Sequence, residues 1–438
     1  MYLDFEEPAP YERSREWIKR SKEAPLTIDI NLESLEDPFK PINTLFEYVT
    51  SGKQPTDWAV SSIVDILLPH AHRWKSFDLS ADNFETIYFW LLKFCDVKEA
   101  PLLETLVLYC DEDTQDDSSG IAGPLFLREV PAKIFPGGLP RLVNLELWGI
   151  HIDWSSVSFM RELKLLTLAY HAQAVRPSTE AFARILSESP SLTSLAIESS
   201  GPADWEWGFE PILLGDLQEL ALAEMPITDA IKIMEHILCP KLKSLRLDFE
   251  ADFDEIRLFI DVVCGKREAP FRNVEFLRLD GFSCLPKEAV TLFKEFRNVQ
   301  SLQVNFYYVP QSIMSALRKG LLPSLHTLKT VGLNLETIWR LLKVRRDIGL
   351  PIKKLCLEQE DVLDGDEKLL NLIKDSVEEF EVFVDSDMED EDNDLEDEDN
   401  DSEDEDDWQD EDDWDDEDGN SVDEEDSEWE DYQSDGVD

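Results

Sequence analysis

The sequence predicts an α/β fold built as a repeat solenoid, with a curved parallel sheet on the concave side and helices on the convex side. Two observations support this prediction. The pattern Leu-x-x-Leu-x-Leu, with Val, Ile, Phe or Trp allowed, opens at twelve places, mostly 25–29 residues apart. The intervening segments have apolar residues at helical spacing. A unit of one strand and one helix cannot bury its own apolar face, so we expect neighbouring units to stack.

The strand pattern locates each repeat and the orientation of its side chains. The leucines point into the core, and the residues that alternate with them point outward onto the concave face. The copy that opens at Leu325 is degraded, because it ends in Thr330. The twelve copies open at Trp74, Leu103, Leu142, Leu163, Leu192, Leu217, Leu242, Val274, Val299, Leu325, Ile352 and Val377.

Helices are predicted between these strands. Ser178 and Thr228 are suitable N-terminal capping residues for two of them. The predicted helices cover residues 179–186, 229–238, 254–263, 288–298, 312–321 and 336–344.

Charge is distributed unevenly along the chain. The 438 residues have a net charge of −55, and residues 385–438 contain 34 acidic residues and no Lys or Arg. This last segment has too few apolar residues to offset chain entropy, so we predict that it is disordered. The predicted organisation is an N-terminal helix and linker at 1–24, a solenoid with its N-terminal cap at 25–384, and an acidic tail at 385–438.

Composition also excludes several classes of protein. A polyanion repels phosphate, which argues against direct binding to nucleic acid or to an anionic membrane. The start of the chain lacks the features of a signal peptide, and no run approaches the roughly 18 apolar residues of a membrane helix. The six cysteines are widely separated, which indicates reduced core residues. We therefore expect an intracellular monomer, cytoplasmic or nuclear.

Catalytic patterns are missing from the sequence. It contains no phosphate-binding Gly-rich loop, no His-Glu-x-x-His and no Gly-x-Ser-x-Gly. His70 and His72 lie close together, but no Cys or acidic cluster completes a metal site, and we place them on a helix-to-strand turn. We expect a non-enzymatic protein without cofactor or metal.

Outward-facing aromatic residues are the first candidates for partner binding. Tyr109 and Trp148 occupy equivalent places in neighbouring repeats, which predicts an exposed aromatic pair suited to anchoring a protein. Trp205 and Trp207 lie in a loop at 200–215, which is either a surface contact or a packed loop.

Charged residues in the same outward column are the second group of candidates. Arg246 and Asp248 repeat the charge order of Arg278 and Asp280 in the next strand, and Gln303 follows one strand later. One interpretation is a ladder of cross-strand ion pairs that satisfy one another. The other is an Arg-Asp strip that recognises a peptide.

The acidic tail contains aromatic residues and serines. Trp408, Trp414 and Trp429 interrupt the acidic residues, as in segments that engage basic proteins, although a charge run also acts simply as a solubilising segment. Several serines have an acid three residues later, a spacing that resembles the sites of acidophilic casein-type kinases. These candidate phosphorylation sites are Ser386, Ser402, Ser421 and Ser427.

The repeat resembles the leucine-rich-repeat class, in its longer, helix-backed variety, over about residues 72–384. The resemblance implies protein binding on the concave face. The sequence departs from this class in one respect: it lacks the Asn expected three residues after the strand. In that class a ladder of Asn side chains satisfies backbone groups at the turn, so we expect irregular turns here. At that place stand Asp111, Ile150, His171, Ser200, Met225, Glu250, Phe282 and Tyr307.

A narrower resemblance lies near the N-terminus. Residues 17–21 followed by 25–30 resemble the link after the F-box in basidiomycete fungal F-box/leucine-rich-repeat proteins, and residues 70–79 resemble their first recognisable repeat. The resemblance implies a substrate-binding or scaffold protein of the kind that serves ubiquitin ligases. The three-helix F-box that precedes this link in that family is absent, so we expect no docking to a ligase adaptor.

Two other families combine leucine-rich repeats with an acidic tail. The acidic leucine-rich nuclear phosphoproteins are chaperones of histones and other basic proteins, which implies that the tail binds basic partners. The activator of the small nuclear GTPase Ran is also similar, but its repeats are regular and carry the Asn that this chain lacks.

Overall fold

The computed structural model describes residues 11–32, 58–110 and 131–384, except for gaps at 156–158, 206, 209, 252, 265–270, 283, 306–310 and 364–365. Contacts divide the chain into Met1–Asp385 and Ser386–Asp438, and all the described residues belong to the first unit. The tail, its tryptophans and its serines lie outside the described residues. The three-part division inferred from composition stays a prediction.

One long parallel sheet organises the described residues. Thirteen of their strands join it in chain order, and every neighbouring pair is parallel; β7 and β9 form a separate two-stranded pair. Each of the twelve predicted repeat strands is present in the sheet, and β1 adds an unpredicted edge strand. The strands are β1 Leu26–Asn31, β2 Trp74–Ala81, β3 Thr105–Cys110, β4 Asn144–Trp148, β5 Leu165–Ala169, β6 Ser194–Glu198, β7 Ile212–Leu213, β8 Glu219–Ala223, β9 Ile237–Leu238, β10 Ser244–Ala251, β11 Phe276–Phe282, β12 Ser301–Asn305, β13 Thr327–Val331, β14 Lys354–Glu358 and β15 Glu379–Phe383.

Helices connect most of the strands and pack beside one another. In the C-terminal half α5 contacts α6, α6 contacts α7, α7 contacts α8, and α8 contacts α9. Each of the six predicted helical segments contains a helix, although residues 237–238 of the predicted segment 229–238 form β9 and two other helices end three residues earlier than predicted. The leucine-rich-repeat fold predicted from the periodicity is confirmed. The helices are α1 Glu12–Ser21, α2 Trp58–Leu67, α3 Phe84–Asp96, α4 Thr179–Ser187, α5 Ile227–His236, α6 Phe253–Cys264, α7 Pro286–Glu295, α8 Gln311–Arg318, α9 Leu335–Asp347, α10 Gln359–Leu363 and α11 Glu367–Lys374.

Alternation along the strands produces two different sheet faces. In β4, Leu145 and Leu147 are fully buried in the core, whereas Asn144, Glu146 and Trp148 are partly exposed on the opposite side. Strands β2, β3 and β6 alternate in the same way. We call the side opposite the core, formed by these alternate residues, the open face.

Left-handed turns end several repeat strands. Gly149, Tyr170, Ser199 and Glu224 directly follow their strands, and each has a positive φ between 42° and 66°. Each backbone N–H donates to the carbonyl at the end of the next strand at 2.9 Å. These backbone bonds extend the strand ladder into the turn, where the sequence lacks the expected Asn.

A side-chain pair stands at two of the positions where Asn was expected. The Nδ1 atom of His171 lies 2.9 Å from the hydroxyl of Ser200 in the next repeat, and both residues are buried. Beside them, the guanidinium of Arg176 donates to the carbonyl oxygens of His171 and Ser199, both at 2.8 Å. The turn carbonyls here are satisfied by an arginine.

The N-terminal helix is attached to the start of the repeats. Arg73 closes a 3₁₀ helix, Leu68–Arg73, and its guanidinium donates to the carbonyl of Ala24 at 2.8 and 3.0 Å and to the hydroxyl of Ser21 at 2.5 Å. His70 and His72 lie in the same 3₁₀ helix, which leads directly into β2, as predicted.

Two buried residues and one glycine in a tight turn depart from simple apolar packing. Arg345 is fully buried and donates to the carbonyls of Leu317, Leu321, Leu322 and Leu350 at 2.9–3.2 Å. Thr330, in the degraded repeat, is fully buried, and its hydroxyl lacks a hydrogen-bond partner among the described residues. A Cβ atom at Gly137 would lie 2.0 Å from the carbonyl oxygen of Lys98, so only glycine fits there.

The cysteines are free thiols, and four of the six are buried, as expected for reduced core residues. No helix in the described part of the chain combines the length and the apolar character needed to cross a bilayer.

Candidate functional site

An aromatic ladder crosses the open face. Tyr109 and Trp148 are register partners on β3 and β4, and their ring centroids lie 5.2 Å apart. Trp148 in turn stacks on Tyr170, with centroids 4.6 Å apart and an interplanar angle of 26°. All three rings are partly exposed. The predicted pair is therefore part of a three-ring surface, which we call the aromatic ladder.

Tyr170 was missed because it belongs to a turn and not to the alternating strand. Its φ of 51° is left-handed, a conformation that costs about 1–2 kcal/mol for a residue with a Cβ atom. Its hydroxyl donates to a carboxylate oxygen of Glu224 at 2.6 Å. Burial, followed by this bond to Glu224, raises the pKa of Tyr170. The sequence did contain a signal for this turn: Tyr170 directly follows its strand, as Gly149 does one repeat earlier.

A cluster of like charges lies beside the aromatic ladder. Asp29 and Asp78 are register partners on β1 and β2, and Glu146 occupies the same row on β4, beyond Val107. Burial, followed by repulsion from Asp29 and Glu146, raises the pKa of Asp78 to about 6. Burial also raises the pKa of Glu146. We call Asp29, Asp78 and Glu146 the acidic cluster.

The arginines farther along the open face are already paired. Arg246 contacts Asp248 on its own strand at 3.3 Å and Glu198 on β6 at 3.4 Å. Arg278 bonds Asp280 on its own strand. The arginines are thus satisfied within the chain, as in the first of the two interpretations, and Arg246 pairs with Glu198 across strands. The Arg–Asp pairs, however, lie along single strands, because residues two apart on one strand lie on the same side.

Two members of the predicted outward column are buried. Asp280 is 5% exposed and Gln303 is 6% exposed. Arg278 bonds Asp280, and Gln303 lies in register between the long side chains of Arg278 and Lys329. These two side chains are therefore largely covered, which leaves little of their surface for a partner. The alternating pattern gave the correct side of the sheet, but long neighbours reduced the exposure.

The open face changes sign along the sheet. Its middle row is acidic on β1, β2 and β4 and basic on β10, β11 and β13. Lys329, the basic residue on β13, lies over the ring of Phe383 with 3.9 Å from Nζ to the centroid. The cations of this basic half are thus engaged by other groups of the chain.

The tryptophan loop packs on the helices. The ring of Trp207 lies 4.7 Å from that of His236 and 6.2 Å from that of Phe182, and Lys232 lies over Trp205 at 5.0 Å. Of the two alternatives for this loop, the packed loop is the one observed. No group of three or more potential metal ligands occurs among the described residues.

Comparison with known proteins finds one kind of similarity. No protein-family model and no curated protein matches the sequence. Among solved structures, the leucine-rich repeat-containing protein LegL7 from Legionella pneumophila is 12% identical, over 73% of this chain and 87% of that one, with a TM-score of 0.34. So low a similarity supports no functional conclusion. The leucine-rich-repeat fold of this chain is assigned from its own repeated strands and parallel sheet.

Proposed function

We propose that this chain is a non-enzymatic scaffold that binds another protein on the open face of its sheet. The observation that supports this proposal most directly is the aromatic ladder of Tyr109, Trp148 and Tyr170. Partly buried aromatic rings offer a large contact area at little cost in side-chain entropy, which is why they are common at the energetic centres of interfaces.

The rigidity of the ladder favours binding. Tyr170 is fixed both by its ring contact with Trp148 and by its hydroxyl bond to Glu224. A surface that is already ordered before binding loses little entropy when a partner arrives. The left-handed turn at Tyr170 is also the kind of strained position that concentrates at binding sites.

Substitution of Trp148 tests this proposal. The full chain and its Trp148→Ala variant serve as baits, and bound proteins are quantified by mass spectrometry. The matched control is Trp339→Ala, which removes a partly buried indole from helix α9. We expect partners to be lost from the Trp148 variant and retained by the control, with both variants folded by circular dichroism. Equal partner sets for all three baits would contradict the proposal.

The resemblance at the N-terminus suggests a more specific role, that of an F-box/leucine-rich-repeat-like substrate receptor or scaffold. The two segments that resemble this family touch one another, because Arg73 bonds Ser21 and Ala24. With no F-box pattern in the 438 residues, we expect this chain not to co-purify with the ligase adaptor. Firm adaptor binding by residues 1–60 would contradict that expectation.

A second candidate function concerns the acidic tail. Its 34 acidic residues, with Trp408, Trp414 and Trp429 among them, favour the binding of histones or other basic proteins, as in the acidic leucine-rich nuclear phosphoproteins. Deletion of residues 385–438 tests this function in a pull-down with basic proteins. Unchanged capture after the deletion would exclude the tail as the binding segment.

A further inference from the structure

We infer that the partner on the open face is a protein that presents a basic, extended segment, with Lys or Arg side chains against the acidic cluster and an apolar side chain on the aromatic ladder. This inference rests on the proposed function and adds the chemistry of the partner to it. It concerns a different surface from the tail.

The absence of a counter-charge at the acidic cluster is the first argument. None of the ion pairs within the described part of the chain includes Asp29, Asp78 or Glu146. Several acids elsewhere on the same face do have bases: Glu198 and Asp248 meet Arg246, Asp280 meets Arg278, and Glu381 meets Lys354 at 2.6 Å. Among the residues that the structure describes, the cluster is thus an acidic surface without a paired cation.

Because the acidic cluster is partly buried, the lack of a paired cation affects the energy of its carboxylates. Asp78 and Glu146 lie on a half-buried sheet face, where charges interact more strongly than in bulk water. The raised pKa of Asp78 reflects the same arrangement, since burial and like-charged neighbours both disfavour its carboxylate. A partner's ammonium or guanidinium group would stabilise both carboxylates, so charge complementarity selects a basic segment.

The spacing fits an extended peptide that crosses the strands. Neighbouring strands lie about 4.8 Å apart, so the β-carbons of Asp78 and Glu146, two strands apart, are separated by roughly 10 Å. A chain in the extended polyproline II conformation covers about 9 Å in three residues, at about 3.1 Å each, and returns its side chains to the same side every third residue. Trp148 follows Glu146 by two residues on the same strand and the same side, so the ladder runs alongside the acidic row.

The rest of the molecule disfavours a nucleic acid as the occupant. The chain carries a net charge of −55, and the proposed surface is itself acidic. Phosphate groups would be repelled from it, whereas a basic peptide is attracted by the overall field as well as by the local carboxylates. The basic side chains of the open face are engaged with Asp, Glu or an aromatic ring.

A binding assay with the full chain tests the inference. The probe is a short fluorescent peptide with Arg at every third position, Leu and Ser between, and one photo-reactive residue. The site variant is Asp78→Asn with Glu146→Gln, and the charge-matched control is Glu336→Gln with Asp347→Asn, two exposed acids of α9. Both variants keep the tail, so tail binding contributes equally. Neutralising Asp78 removes a repulsion, so weaker binding by the site variant would not reflect unfolding.

We expect the site variant to bind the peptide about tenfold more weakly than the control does, because it cannot form two moderately strong ion pairs with the peptide. We also expect the wild-type protein to cross-link to the peptide within residues 74–170. Equal affinities for the two variants, or cross-links confined to residues 385–438, would overturn the inference and leave the tail as the site of basic binding.

The same variants separate this inference from the proposed function. If a native partner is lost with Trp148→Ala but retained at full affinity by the Asp78 and Glu146 variant, the open face binds a protein and the basic-partner inference is wrong. If neither variant loses a partner, the proposed function fails as well. Loss of the partner with both, but not with the α9 control, supports both.

Discussion

Two buried histidines make the fold sensitive to acid. His151 is 2% exposed and His171 is 1% exposed. Burial lowers the pKa of His151 to about 4 and, with a smaller contribution from nearby His151 and Arg176, lowers that of His171 to about 3. An unfolded chain titrates its histidines near pH 6.5, so between that pH and about 4 only the unfolded state takes up these protons. Acid therefore removes stability through both residues.

The size of the effect follows from the two pKa values. Between about pH 7.5 and about pH 5, each histidine reduces the free energy of unfolding by about 2 kcal/mol, or about 4 kcal/mol for both. Its physical source is desolvation, because neither ring nitrogen of His151 has a hydrogen-bond partner among the described residues and the Nε2 atom of His171 has none either.

Carboxylates with raised pKa values oppose this loss, and two of them are strongly shifted. Burial raises the pKa of Asp78 and of Asp361 to about 6. A raised carboxylate pKa means that the native state takes up a proton first as the pH falls, which adds stability between about pH 7 and about pH 4. Over the same interval of about pH 7.5 to about pH 5, each of these half-buried aspartates contributes at most about 1 kcal/mol, because solvent screens it. The wild-type protein should therefore lose clearly less than about 4 kcal/mol, and its pH dependence alone would understate the histidines.

Variants separate the two contributions. His171→Asn places the family's usual residue at the turn, and His151→Leu substitutes an apolar side chain of similar size. The free energy of unfolding is measured by urea titration at about pH 7.5 and about pH 5. We expect the double histidine variant to gain stability on acidification, by up to about 2 kcal/mol, whereas Asp78→Asn with Asp361→Asn should lose up to about 4 kcal/mol.

The decisive comparison is the difference between the two pH values for each protein. If the histidine double variant responds to acid as the wild-type protein does, the histidines are already protonated or solvated in the native state. The proposed linkage would then be wrong.

Three further stability predictions concern two buried residues and the turn glycine Gly137, each measured by urea unfolding. Thr330→Val should stabilise the protein by about 1–2 kcal/mol, because it removes a buried hydroxyl without a partner, whereas Thr167→Val on the open face should change little. Arg345→Met should cost about 3–5 kcal/mol by leaving buried carbonyls unpaired, against less than about 1 kcal/mol for the exposed neighbour Arg346→Met. Gly137→Ala should cost more than about 2 kcal/mol, because its methyl group would meet a backbone carbonyl. A stability change of the opposite sign, or a control that matches its variant, would contradict the corresponding prediction.

Local patterns were sufficient to predict the repeats. The burial of Leu145 and Leu147 and the partial exposure of Trp148 follow from alternation along one strand. The contact between Tyr109 and Trp148 could also be foreseen, because equivalent residues of neighbouring repeats become register partners in a parallel sheet.

Exposure and pairing could not be predicted in the same way. Asp280 and Gln303 lie on the predicted side of the sheet but are buried, since Arg278 pairs along its own strand. Whether a long side chain turns toward its own strand or toward the next one depends on distances of a few ångströms. The spacing of residues along the sequence does not give these distances.

The sequence by itself determined the repeat architecture, because periodic apolar burial is a property of each short segment. The acidic cluster and the third ring of the ladder were decided by the tertiary structure. Asp29, Asp78 and Glu146 are far apart in the chain and meet only when β1 to β4 pair in register. Tyr170 reaches Trp148 only through a left-handed turn whose N–H is held by the next repeat. Both depend on contacts between repeats, which the pattern of residues within one repeat does not specify.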